Sequence, residues 1–194
     1  MSHESVGQLQ ALNRIFAEIV VTFEPHRLAV LGCATGNGFE HIRADVTELV
    51  MAIDINREYL DILMNRYLSR LPGLQVICGD VRSVNIEAGS LDHVHAGLIF
   101  EYVKAKRLMK RIASWLKTGG VLSVVLQLPS NKSEPVTDTS YDSLKLLEAV
   151  MQLVDAAELT TAANDLGLSE RKSFDVALKQ GKRFRVIYYV KRDV

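Results

Sequence analysis

The chain has 194 residues, 23 Lys and Arg against 23 Asp and Glu, and 48% hydrophobic side chains, which suits a single domain with a real core over residues 1–194. Balanced charge gives no global field toward nucleic acid or anionic lipid, no apolar run is long enough to span a bilayer, and the opening MSHESVGQLQ lacks the basic-then-apolar order of a signal peptide. Two isolated cysteines, Cys33 and Cys78, make neither a disulfide framework nor a four-ligand metal site; they read as small buried hydrophobes, the expected setting is a reducing cytoplasm, and no metal is expected.

Residues 5–23 place Leu9, Leu12, Ile15, Phe16, Ile19, Val20 and Phe23 at helical spacing, and Pro25 stops that helix. Residues 28–31 form a first apolar strand that runs into the turn GCATGNG, and residues 37–43 begin the next helix. A second strand, 49–53, ends at Asp54; Asn56 caps a helix through Leu71, which Pro72-Gly73 ends. Residues 74–78 are a third strand closed by Gly79-Asp80, and residues 91–98 a fourth, followed by a helix from about 103 to 116 that Gly119-Gly120 breaks. Residues 121–128 are a fifth strand. Pro129 to Tyr141 is a polar loop, leading into an amphipathic helix to Val154, and Asp155 caps a further helix. The chain closes with β-rich runs at 174–178 and 184–190 around Lys179-Gln180-Gly181-Lys182, a hairpin signal.

Short apolar strands alternating with amphipathic helices predict a doubly wound α/β fold, a mostly parallel seven-stranded sheet with helices on both faces and an antiparallel C-terminal hairpin. In such sheets the ligand lies beyond the carboxyl ends of the strands. The glycine turn follows strand one, but a dinucleotide turn needs G-x-G-x-x-G and here the third place is Asn37. Asp54, with Ile55 behind it, follows strand two, and its carboxylate can accept from both hydroxyls of a ribose. Asp80 and Val81 follow strand three, where the carboxylate can accept from an exocyclic amine.

These motifs in order, GCATGNG, VMAIDIN, QVICGDV, SLDHVHAGLIFEYV and WLKTGGVLSVVL, resemble the class I S-adenosylmethionine-dependent methyltransferases over more than half the chain, and AAELTTAANDLGL with RFRVIYYV resembles their closing helix and hairpin. The resemblance implies that Gly32, Ala34 and Gly36 line the methionine part of S-adenosylmethionine or its product S-adenosylhomocysteine, Asp54 holds the ribose, Asp80 the adenine amine, and Val81 packs near the ring. The chain departs from the family at Val30, where an acidic residue is usual, and at Ala34, where the family has glycine; alanine fits there if its φ is negative.

A methyl donor that is already activated needs chiefly an aligned acceptor, so no conspicuous catalytic dyad is required. His93 and His95 share one sheet face, where buried, hydrogen-bonded rings are the simpler reading; His95, nearer the carboxyl end, and Glu101 are the candidate bases. Glu101 and Tyr102 otherwise read as rim residues, and Tyr141, within reach of the substrate, as an exposed loop aromatic with no required role. The late basic residues Arg171, Lys172, Lys179, Lys182, Arg183 and Arg185 read as the outward face of the hairpin, so no nucleic acid is expected. Residues 1–24 and 129–154 lie outside the common sheet and are expected to cap the substrate side, a size that suits a small-molecule acceptor. The competing reading is a non-catalytic S-adenosylmethionine-binding regulatory or scaffold protein.

Overall fold

Period-two burial organises the whole sheet. In β1 (Arg27–Leu31), Leu28 and Val30 point to one face and Ala29 and Leu31 to the other, and all four are buried. Strands covered on both faces lose the polar half of the usual alternation, so they read in sequence as continuous apolar runs. A computed structural model of the chain describes residues 3–129, 152–178 and 182–193.

The remaining strands are β2 (Leu49–Asp54), β3 (Leu74–Cys78), β4 (Leu91–Gly97), β5 (Leu116–Gln127), β6 (Leu168–Ala177) and β7 (Arg183–Lys191), in the spatial order β3-β2-β1-β4-β5-β7-β6. The first five pair in parallel, and β7 inserts antiparallel between β5 and β6. Helices α1 (His3–Phe23) and α2 (Arg57–Tyr67) cover one face through Phe16, Ile19, Leu60, Leu63 and Tyr67. Helices α3 (Ala105–Trp115) and α4 (Ala156–Asn164) cover the other through Leu108, Met109, Ile112, Trp115 and Leu159. The doubly wound sheet with its closing hairpin is therefore as the sequence predicts.

Two caps are also where the sequence puts them. Asn56 accepts from Tyr59 N (3.2 Å), and Asp155 accepts from Ala157 N (2.7 Å) and Glu158 N (3.3 Å), satisfying first-turn donors that have no partner within the helix.

Several local expectations need correction. Residues 37–43 hold only a 3-10 turn, Phe39–His41, because Gly36 (φ 79°) and Gly38 (φ 95°) are left-handed and no α-helix begins through them. Helix α2 ends at Tyr67 rather than Leu71. Helix α3 ends at Trp115 rather than at the glycine pair, since Leu116 is already extended and pairs with Leu91. The hairpin strands are longer than their apolar cores, because the start of β6, LSERKSF, is largely exposed and carries no apolar alternation. Cys78 is exposed while Cys33 is buried. In the hairpin, Arg183 and Arg185 pair outward with Asp175, but Lys182 is buried. Lys179, Tyr141 and most of the expected 129–154 cap lie outside the described residues.

Candidate functional site

The order of the parallel strands reverses between β1 and β4, which opens a crevice at their carboxyl ends. The turn after β1 is pinned underneath, where Gly32 N and Cys33 N both donate to Ile53 O (2.8 and 3.1 Å). It is pinned above by Asp54, whose two oxygens accept from Ala34 N and Asn56 N, each at 2.9 Å. Each of those oxygens retains a lone pair for a further donor. Ala34 stands at φ 45°, so the negative φ that its methyl group was expected to require is not adopted; the hydrogen bond to Asp54 holds the residue in the strained left-handed region.

The three small residues of the turn have different surroundings. Gly32 lines the crevice, and a Cβ there would lie 3.1 Å from Ile99 Cδ1. Gly36 and Gly38 instead admit the helices, since a Cβ would lie 2.9 Å from the Tyr67 ring or 2.8 Å from the Phe16 ring. Gly36 thus serves the packing of α2 on the turn, and it does not line the cavity.

That cavity, about 220 Å³, is bounded by Gly32, Asp54, Ile55, Gly79, Asp80, Val81, Arg82, Ile99, Tyr102 and Val103. Five residues singled out from the sequence, Gly32, Asp54, Ile55, Asp80 and Val81, converge on it from the ends of three strands. Two carboxylates beside Ile55, Val81, Ile99 and Val103 give polar points for a sugar and a heterocyclic amine, with apolar walls for a ring. This donor set fits an adenosine group. Asp80 is not free, however. The Arg82 guanidinium grips both its oxygens (Nε at 2.9 and 2.8 Å) and holds its carboxyl below the usual range. Arg82 was not anticipated, although its place two residues beyond Asp80 is the signal that it can fold back on that carboxylate.

Tyr102, Val103 and Arg82 are shared with a larger chamber, about 490 Å³, also lined by Glu101, Lys104, Arg107, Leu108, Arg111 and Gln152. Glu101 is 2% exposed. Its Oε1 accepts from Gln127 N (2.8 Å), its Oε2 is buried without a partner, and burial pushes its pKa up to about 7. The backbone on the far side of the undescribed segment returns to this point, where Gln152 N donates to Glu101 O (2.9 Å).

His95 borders neither of these cavities. It packs edge-on against Phe16 of α1, and His93 packs against Phe23. Ser123 Oγ lies 2.9 Å from both His93 Nε2 and His95 Nδ1. The hydroxyl has one proton, so at least one ring donates to it. His93 Nδ1 is buried without a partner, and an orphaned N–H is worse tolerated than an orphaned lone pair. His93 therefore donates from Nε2 to Ser123 Oγ, which also lies within hydrogen-bond distance of His95 Nδ1, while the His95 Nε2 edge faces Gly97. Burial lowers the pKa of His93 to about 3 and of His95 to about 4, so both rings are neutral near pH 7.

Residues 29–120 match the family model of a methyltransferase domain. Magnesium protoporphyrin IX methyltransferase (ChlM) from Synechocystis PCC 6803 superposes with TM-score 0.73 at 15% identity, over 98% of this chain and 85% of that one. Geranyl diphosphate C-methyltransferase from Streptomyces coelicolor A3(2) gives 0.71 at 12% identity, over 92% and 77%. The [4+2]-cyclase SpnF gives 0.73 at 15% identity, over 95% and 82%, so a shared fold alone does not carry the reaction. No curated protein matches the sequence. Among the described residues, no helix is long and apolar enough to cross a membrane.

Proposed function

With residues 29–120 as its methyltransferase domain, set within a class I methyltransferase fold, we propose that this protein moves a methyl group from S-adenosylmethionine to a small-molecule acceptor. The observation that carries the reading is the convergence of Gly32, Asp54, Ile55, Asp80 and Val81 on one cavity. Asp54 accepts from the ribose hydroxyls with the lone pairs that Ala34 and Asn56 leave free, while Ile55, Val81, Ile99 and Val103 exclude water from the adenine. Asp80 meets the adenine amine once Arg82 shares or releases it. When bound, S-adenosylmethionine supplies a methyl group already activated on a sulfonium, open to direct in-line attack by the acceptor.

The chain's own work is then orientation and desolvation. Where the acceptor must lose a proton, Glu101 is the better base, since its pKa near 7 suits that task at neutral pH. His95, packed against Phe16 and bordering neither cavity, takes no part in that step in this reading. Residues 1–24 belong to the substrate side in this reading; helix α1 touches the turn after β1, where Asn37 Nδ2 donates to Leu9 O (2.9 Å), and its described residues line neither cavity. Two neighbours whose names carry small-molecule substrates, geranyl diphosphate and magnesium protoporphyrin IX, support an acceptor of that kind.

Equilibrium dialysis with S-adenosylmethionine, S-adenosylhomocysteine and NAD tests the assignment. Asp54→Asn should weaken the adenosyl ligands by about 1.5–3 kcal/mol, the loss expected when a charged acceptor is removed. Because Asp54 also holds two backbone N–H groups, the unfolding midpoint of the variant is measured alongside. Binding of NAD without either adenosyl compound overturns the reading. Transfer of labelled methyl to a component of a metabolite extract supports the enzyme, and tight binding with no transfer supports the regulatory or scaffold alternative.

A further inference from the structure

Helix α3 and its cap residue read KAKRLMKR, with Lys104, Lys106, Arg107, Lys110 and Arg111 and no acidic residue. Like charges three and four residues apart on a helix repel, at about 0.2–0.5 kcal/mol per pair, and cations in the first turn oppose the macrodipole. No carboxylate relieves this: among the described residues none of the five makes an ion pair. An isolated helix gains nothing from such a pattern.

The geometry divides the five cations into two sets. Lys104, Arg107 and Arg111 recur at i, i+3 and i+7, one helix face, and all three line the 490 Å³ chamber; Lys106 and Lys110 do not. Arg82 meets them from the loop after β3, its guanidinium fixed by Asp80. Arg111 is anchored as well, since one nitrogen donates to Val84 O and the guanidinium lies 5.3 Å over the Trp115 ring, while its Nε is buried with no partner. Among the described residues, four cations from two elements thus border one concave space; Asp80, which pairs with Arg82, lies in the neighbouring smaller cavity and leaves the other three without a carboxylate partner. Glu101 is the carboxyl group in that wall among the described residues, and with burial pushing its pKa up to about 7 it is half ionised at that pH and mostly protonated below about pH 6.

We propose that this chamber binds the phosphate group of a small molecule, held by Arg82, Lys104, Arg107 and Arg111 beside the adenosine-sized cavity. A concave site lined by one sign of charge focuses its field on the ligand. Guanidinium forks match phosphate oxygens, and cations arriving from two elements suit a tetrahedral dianion better than a planar carboxylate.

The test is titration calorimetry of the full chain with inorganic phosphate and pyrophosphate, with acetate as the planar control. Two double variants remove equal charge from one helix: Lys104→Gln with Arg107→Gln, inside the chamber, and Lys106→Gln with Lys110→Gln, outside it. The first should raise the phosphate Kd at least about tenfold, as expected for losing charge-assisted contacts, and the second less than about threefold. Equal weakening by both pairs, acetate binding as tight as phosphate, or no phosphate binding by the unaltered protein overturns the proposal. S-adenosylhomocysteine is titrated into the same proteins. Phosphate binding without adenosyl binding keeps this site and removes the methyltransferase reading; the reverse removes this site alone.

Discussion

Replacing Glu101 with Gln should flatten the stability of this protein between about pH 5 and pH 8. The side chain is buried, with one oxygen accepting from Gln127 N and the other without a partner, and burial raises its pKa from the ordinary 4.5 to about 7. The folded state therefore binds this proton more tightly than the unfolded chain does. The resulting stability is fully present below about pH 4.5 and is lost as pH rises through about 7. At 1.36 kcal/mol per pH unit, the gap between those values is worth about 3 kcal/mol. Gln keeps an acceptor for Gln127 N–H and carries no charge. Its amide nitrogen takes the unpartnered place of Oε2, at a cost of about 1–3 kcal/mol that does not vary with pH. Urea unfolding of both proteins in phosphate-free buffer at several pH values gives the difference curve. The wild-type advantage should fall by about 3 kcal/mol across that window. The buried His93 and His95, with pKa values lowered to about 3 and 4, cost stability as pH falls below 6.5, but they do so in both proteins and cancel. Parallel curves for the wild-type protein and the Glu101→Gln variant would refute the argument.

Two further substitutions test the backbone. Ala34→Gly relieves a left-handed alanine at φ 45° and should raise stability by about 1 kcal/mol, read from the urea midpoint at unchanged m; a lower midpoint counts against the strain. Gly73→Ala places a Cβ 1.9 Å from Glu48 O, in a segment whose carbonyl accepts from Val50 N (3.0 Å). It should cost about 2 kcal/mol or more in the same measurement, as overpacking against backbone does, and an unchanged midpoint contradicts the close approach.

Much of the frame is legible along the chain because it is local. The apolar runs at β1, β2 and β5 are buried on both faces, the side chains of Asn56 and Asp155 close the helix N-termini that follow them, and Asp54 and Asp80 stand at strand ends where a doubly wound sheet presents its crevice. The β6 edge strand was only partly legible, since LSERKSF pairs through its backbone and buries little. The glycine turn carries two meanings that spacing cannot separate: Gly32 borders a ligand cavity, while Gly36 and Gly38 make room for Tyr67 and Phe16.

What the tertiary structure decided are the meetings. Period two places His93 and His95 on one face, but only the β4–β5 register, His95 opposite Ser123, gives them a shared hydroxyl. The α3 cations look like a solvated stripe until Arg82, more than twenty residues earlier, is brought across from the end of β3 to close a chamber over three of them. Helical and strand periods set the face that a side chain takes. The partner it finds there depends on strand register and on loops converging from separate strands, contacts between residues far apart in the chain that no local pattern encodes.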